Sequence, residues 1–222
     1  ENFTSNYGRT KGLSGPHEGS NWWYRFFNRK PRYVATNNIN FHKMERFKSS
    51  IRLLTNFSGK NVVFKNPHAS LRLNPINSIF PDALFIRIYR DKLDNAHSIL
   101  KARKDNLGSY NKWWSMDPPG YEDLLSLPPY VQVVEQINLI NNIIDQDIKK
   151  NAIDKKYIHE LSYEDLCEKP SYIINQIHKF FIKNSTNIPK KNISLPSKFE
   201  MRNTINIDHT LYQDLINYVQ NH

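Results

Sequence analysis

The chain of 222 residues contains one cysteine, Cys167, only seven glycines and no long apolar run. A single thiol excludes an intrachain disulfide and a thiolate zinc site, so no structural metal is expected. No uninterrupted apolar stretch approaches the roughly 18 residues of a membrane span. Residues 1–15 carry neither the apolar centre nor the cleavage pattern of a signal peptide, and the chain opens on Glu1 rather than a methionine. No internal repeat is visible.

What is present describes a globular protein. Hydrophobic residues make up 39% and aromatics 13%, with Trp22, Trp23, Trp113 and Trp114 among them, which supplies a core and argues against disorder. The length suits one α/β domain over residues 1–222. Thirty-one Lys and Arg against 21 Asp and Glu leave a net charge of +10, which fits an anionic partner: a nucleotide, a phosphate-bearing ligand, nucleic acid or an acidic membrane. A general bias toward Lys, Asn and Ile accounts for the same excess without a focused basic site.

Periodicity orders the elements. The first forty residues read as loop, with a short helix near Trp22–Phe27. Met44, Phe47, Ile51 and Leu54 share a helical face that Gly59 ends. Val62, Val63 and Phe64 are β-rich and precede the breaker Lys65-Asn66-Pro67, so residues 61–64 are expected to form a strand. Residues 70–80 read as a helix kinked or divided at Pro75. Leu84–Tyr89 has the composition of a largely buried strand, followed by a helix over 92–103. A long helix over 129–149, a strand over 157–161, a helix opened by Pro170 and a last helix capped by Asp208 complete the order. Strands alternating with helices predict a parallel sheet with helices on its faces.

Ligands of such sheets bind beyond the carboxyl ends of the strands. There the chain places Lys65 and His68, then Arg90 and Asp91, then Tyr163 and Glu164, which are expected to converge. Arg90 can hold a phosphate bidentately beside a helix start, with Ser98 adding a hydroxyl. A salt bridge to Asp91, Asp94 or Glu164 is the alternative for Arg90. A neutral His68 can accept a proton near pH 7, and so can Glu18 if burial raises its pKa. Trp22, Trp23 and Tyr24 offer stacking faces for a sugar or, more commonly, core packing.

Phe64-Lys65-Asn66-Pro67-His68, then Phe80-Pro81-Asp82-Ala83-Leu84-Phe85-Ile86, then Arg90-Asp91 and Ser98, resemble the central block of the sulfotransferases. Tyr163-Glu164-Asp165-Leu166 with Lys169-Pro170 resembles their next block, and the order and spacing agree across residues 60–182. The resemblance implies a P-loop-NTPase-like α/β fold and transfer of a sulfuryl group from 3′-phosphoadenosine 5′-phosphosulfate to a hydroxyl or amine, with a carbohydrate as the expected acceptor and no metal. By position it implies that Arg90 and Ser98 hold the 3′-phosphate, that Tyr163 meets the adenine region and that Lys65 lies near the transferring group. Glu18 resembles the base of some carbohydrate- and protein-directed branches. His68 departs from the histidine-using branch, whose base lies two positions after the lysine, where this chain has Pro67.

The family's Gly-rich 5′-phosphosulfate loop, set between a first strand and first helix, has no counterpart before Glu18. Gly8-Arg9-Thr10-Lys11-Gly12 lacks both the preceding strand and the apolar following helix. The expectation is therefore an amino-terminally truncated enzyme, inactive as it stands, without its first strand and phosphate loop. A degenerate, non-catalytic nucleotide- or polyanion-binding relative is the alternative. A phosphotransferase would need a complete Walker loop and magnesium carboxylates, which are not evident. Neither nucleic acid nor membrane contact is expected of this segment. Both a bacterial cytoplasm and a Golgi lumen fit, the latter with sequons at Asn2, Asn56, Asn184 and Asn192. The sequence does not determine the oligomeric state.

Overall fold

The computed structural model describes residues 5–6, 9–10, 19–151, 153–186, 188, 194–201 and 205–222. The chain divides into two compact units. The first comprises residues 1–81, 115–122 and 139–151, and the second 82–114, 123–138 and 152–222.

In the first unit, β1 (Ser5–Asn6) pairs antiparallel with β2 (Arg9–Thr10), a short hairpin where composition reads as loop. After α1 (Ser20–Trp23), the chain enters α2 (Phe41–Ser58). The Asn40 side chain accepts a hydrogen bond from the Lys43 amide at the start of α2, and Gly59, at φ +61°, closes it in the left-handed region. The predicted face of α2 is the buried one, through Met44 and Phe47. Phe47 lies within 6 Å of the rings of Trp22, Trp23, Phe26, Phe27 and Phe80, and Trp22 stacks on Phe64 at 5.2 Å. The paired tryptophans thus take their commoner role, in core packing.

Two expectations in this unit are corrected. Residues 61–64 are not a strand: β propensity measures how a side chain fits a paired, half-buried surface, and no described strand pairs with this segment. Residues 70–80 are divided into two pieces, but the break falls at Arg72 rather than at Pro75: a 3-10 turn over Pro67–Leu71 ends there, and α3 (Leu73–Ile79) holds Pro75 in its first turn, where a missing amide hydrogen costs nothing. Beside it, Asn74 Nδ2 donates to Asp147 Oδ1 and to the Val34 carbonyl, each at 3.1 Å. The Tyr33 hydroxyl also donates to Asp147 Oδ1, at 3.1 Å. Burial, which disfavours the charged carboxylate, raises the Asp147 pKa against the lowering effect of these two donors.

The second unit holds β3 (Phe85–Tyr89), α4 (Lys92–Leu107) and the first part of α5 (Pro129–Lys150), whose remainder belongs to the first unit. It continues with β4 (Ile158–Ser162), α6 (Tyr163–Glu168), α7 (Pro170–Lys183) and α8 (His209–Asn221). β3 and β4 pair in parallel, as the α/β reading requires, in a register running from Phe85 opposite Ile158 to Tyr89 opposite Ser162. Ala96 and Leu100 of α4, Val133, Val134 and Ile137 of α5, and Leu215 of α8 form its core.

β3 is not the largely buried strand its composition predicts: Ile86 is 36% and Ile88 55% exposed. A strand in a parallel sheet is covered by neighbours on both sides and both faces, and β4 is the one neighbour among the described residues. Leu100, by contrast, is fully buried at the α4–α5–α8 contact. Leu100→Ala is expected to lower the unfolding free energy by about 2–5 kcal/mol through lost burial and a residual cavity, measurable by urea denaturation.

Candidate functional site

The parallel register ends with Tyr89 beside Ser162, so the next residue on each strand, Arg90 and Tyr163, is brought to the same carboxyl edge. The Arg90 guanidinium carbon sits 5.0 Å from the centre of the Tyr163 ring, a cation–π contact. The turns around them are pinned by backbone capping. Asp91 Oδ1 accepts from the Asp94 amide at 2.9 Å and starts α4; Ser162 Oγ accepts from the Asp165 amide at 2.9 Å and starts α6. Glu164 Oε1 reaches across to accept from the Asp91 amide at 3.0 Å.

These caps bear on the salt-bridge reading of Arg90. Asp91 and Glu164, two of its expected salt-bridge partners, are engaged by backbone amides instead. Among the described residues Arg90 forms no ion pair, and its buried Nε has no acceptor. The half-buried guanidinium thus lies over the Tyr163 ring with donors to spare, at the positive end of α4. Ser98 lies on α4 seven residues beyond Asp91, on the helical face that carries Asp91 and Asp94, and it is half-buried.

Two features of this end were not read from the sequence. Glu160 of β4 takes the Tyr89 hydroxyl at 2.6 Å and Arg87 Nη1 at 3.4 Å, using up the cation nearest to Arg90 on the strand. Buried His97 accepts the Asn206 amide on Nε2 at 3.3 Å and meets Tyr212 edge-to-face, fastening the stretch before α8 to α4. Burial pushes its pKa down, which keeps the accepting nitrogen free of a proton. Its place one position before Ser98 was the available signal, but spacing alone did not give it a partner.

Lys65 and His68 belong to the first unit. Lys65 is exposed, and the Asn66 side chain accepts the His68 amide at 2.9 Å to open a 3-10 turn over Pro67–Leu71. His68 Nδ1 lies 3.0 Å from the Met116 sulfur. Burial foremost, then Arg32 and Arg72, drive its pKa from the ordinary 6.5 to about 4, against the opposing pull of Asp117. His68 is therefore neutral at pH 7, and a weaker proton acceptor than an ordinary imidazole. The surrounding cations were not foreseen. Arg32 pairs with nearly buried Asp117, while fully buried Arg72 stacks on Phe27 and donates to the Asn28 carbonyl at 3.1 Å. Glu18 lies outside the described residues.

A protein-family model described as the sulfotransferase family matches residues 17–182, which include all six candidate site residues. The chain belongs to the sulfotransferase family, and sulfuryl transfer is its reaction class. No curated protein and no solved structure matches it.

The depressed pKa of His68 ties its neutral form to folding. That contribution is complete above the unfolded value of 6.5 and is lost as pH falls from there through about 4. NMR titration of the imidazole is expected to show a midpoint well below 6, with Arg32→Gln moving it upward.

Proposed function

We propose that the protein is a sulfotransferase using 3′-phosphoadenosine 5′-phosphosulfate, with a carbohydrate hydroxyl as acceptor. The observation that carries this reading is Arg90: a guanidinium held on the Tyr163 ring at the sheet's carboxyl edge, with both neighbouring carboxylates committed to backbone amides. Spare, preorganised donors there fit a dianionic phosphate such as the nucleotide's 3′-phosphate. Ser98, from the same helix, would add a hydroxyl, and Tyr163 would border the adenine.

In the reaction an acceptor oxygen forms a bond to sulfur while the bond from sulfur to the 5′-phosphate oxygen breaks, releasing 3′-phosphoadenosine 5′-phosphate. Lys65, a mobile point charge, is assigned to the charge that develops on the transferring and leaving oxygens. The acceptor's proton passes to a base, for which Glu18 and His68 are the candidates. The low proton affinity of His68 favours Glu18. No Gly-rich strand–loop–helix unit stands among the described residues, and we propose that turnover requires such a 5′-phosphosulfate loop.

Calorimetry with 3′-phosphoadenosine 5′-phosphate tests this reading. Arg90→Ala is expected to weaken binding about 10- to 100-fold, the equivalent of one charge-assisted contact, and Ser98→Ala less. Binding that is indifferent to Arg90 would remove the nucleotide assignment and leave a family member with another ligand.

A further inference from the structure

No helix among the described residues is long and apolar enough to cross a membrane, yet α2 carries a pattern that core packing does not use. Opposite its buried Met44 and Phe47, the spacing of three and four places Arg46, Ser49 and Ser50, Leu53 and Phe57 in one line along the helix. The first half of that line borders a shallow cavity of about 320 Å³, into which Arg25, His42, Arg46, Ser49 and Ser50 also face, with Glu45 as the lone acid. Among the described residues none of these side chains has a hydrogen-bond or ion-pair partner, so their donors remain available. The second half is apolar and bare: Leu53 is 70% and Phe57 93% exposed.

We propose that this face of α2 lies on an anionic lipid bilayer. The Arg25–Arg46 cavity takes a headgroup phosphate, with the Ser49 and Ser50 hydroxyls donating to its oxygens, and Leu53 and Phe57 enter the acyl boundary one and two turns further along. Charge supports this occupant: residues 41–60 carry Lys43, Arg46, Lys48, Arg52 and Lys60 against Glu45 alone. A basic helix with Leu and Phe on its outer surface is the arrangement that binds in the plane of an anionic interface. A soluble phosphate would fill the cavity but leave Phe57 in water. A helix-binding protein groove would want apolar anchors along the whole line, where α2 offers Arg46 and the two serines in its first half. The inference is independent of the nucleotide site and goes against the expectation from sequence that this segment makes no membrane contact.

Co-sedimentation of the 222-residue chain with vesicles tests it. Binding is expected to phosphatidylcholine vesicles containing phosphatidylserine, with little to phosphatidylcholine alone, and to weaken as salt screens the charges. Leu53→Ser with Phe57→Ser, and separately Arg46→Ala with Arg25→Ala, should each lower the bound fraction about tenfold. All four positions are exposed, and far-UV circular dichroism checks that the variants remain folded. The proposal is overturned by no binding, by equal binding to both vesicle types, or by variants that bind as well as the parent. It is also overturned if light scattering shows a dimer that the Leu53 and Phe57 changes dissociate, because the face is then an interface between copies, or if inorganic phosphate binds while vesicles do not.

Discussion

The parallel pairing of β3 with β4 is the constraint from which the candidate site follows. Because Tyr89 and Ser162 end the ladder together, the residues that leave it, Arg90 and Tyr163, emerge side by side, and each strand turns at once into a helix. A slip of one residue would point Arg90 and Tyr163 to opposite faces of the sheet, since side chains alternate along a strand. The register is reinforced from the sheet surface by Glu160, which joins Arg87, its partner across the strands, to the hydroxyl of Tyr89. The same carboxylate holds Arg87 back from the edge. Two neighbouring cations are thereby treated differently: Arg87, on β3, is paired with Glu160, and Arg90, just beyond the strand, has no ion pair among the described residues.

Much of this was legible in the sequence because it depends on local pattern. The helical faces of α2, α5 and α7 are written in spacings of three and four, and Gly59, Pro170 and Asp208 mark helix ends. Arg90 and Tyr163 were found because a strand followed by a helix predicts where its carboxyl end lies. What escaped depends on neighbours distant in sequence. Val62, Val63 and Phe64 have strand composition, but a strand is a pairing, and composition cannot supply a partner. The apolar run of β3 predicts burial, but burial is set by how many strands lie beside it. The choice between a phosphate and a salt bridge for Arg90 could not be made from spacing either. What spacing could not show is where Glu164 turns: it accepts the Asp91 amide, 73 residues away in sequence.

The two fully buried arginines show how the chain holds cations without matching acids. Arg72 and Arg103 are both inaccessible, and burial pulls each guanidinium down to about 10, still charged at pH 7. A buried charge costs less as more of its donors are met, and here they are met in part: Arg72 Nε and Nη1 and Arg103 Nε have no acceptor among the described residues. Arg103 Nη1 donates to Gln132 Oε1 at 2.7 Å and to the Tyr110 carbonyl at 3.2 Å, while its guanidinium carbon lies 5.1 Å from the centre of the Trp113 ring. Nη2 donates to Gln136 Oε1 at 3.5 Å.

Glutamates at 132 and 136 would neutralise Arg103 more strongly, so the amides require a different reason, and their other atoms supply it. Gln132 Nε2 donates to the carbonyls of Leu127, at 2.8 Å, and Leu125, at 3.3 Å; Gln136 Nε2 donates to the Trp114 carbonyl at 3.2 Å. An ionised carboxylate has no proton to give, so Glu in either place would leave these loop carbonyls without their donor while it strengthened one ion pair. Each glutamine therefore joins the arginine to a segment with no secondary structure of its own. The cation fastens α4 to α5, and the amides carry that attachment into both ends of the connection between them. α4 is the helix that starts two residues after Arg90, so the placing of the candidate phosphate site rests in part on a charge buried three turns along that helix.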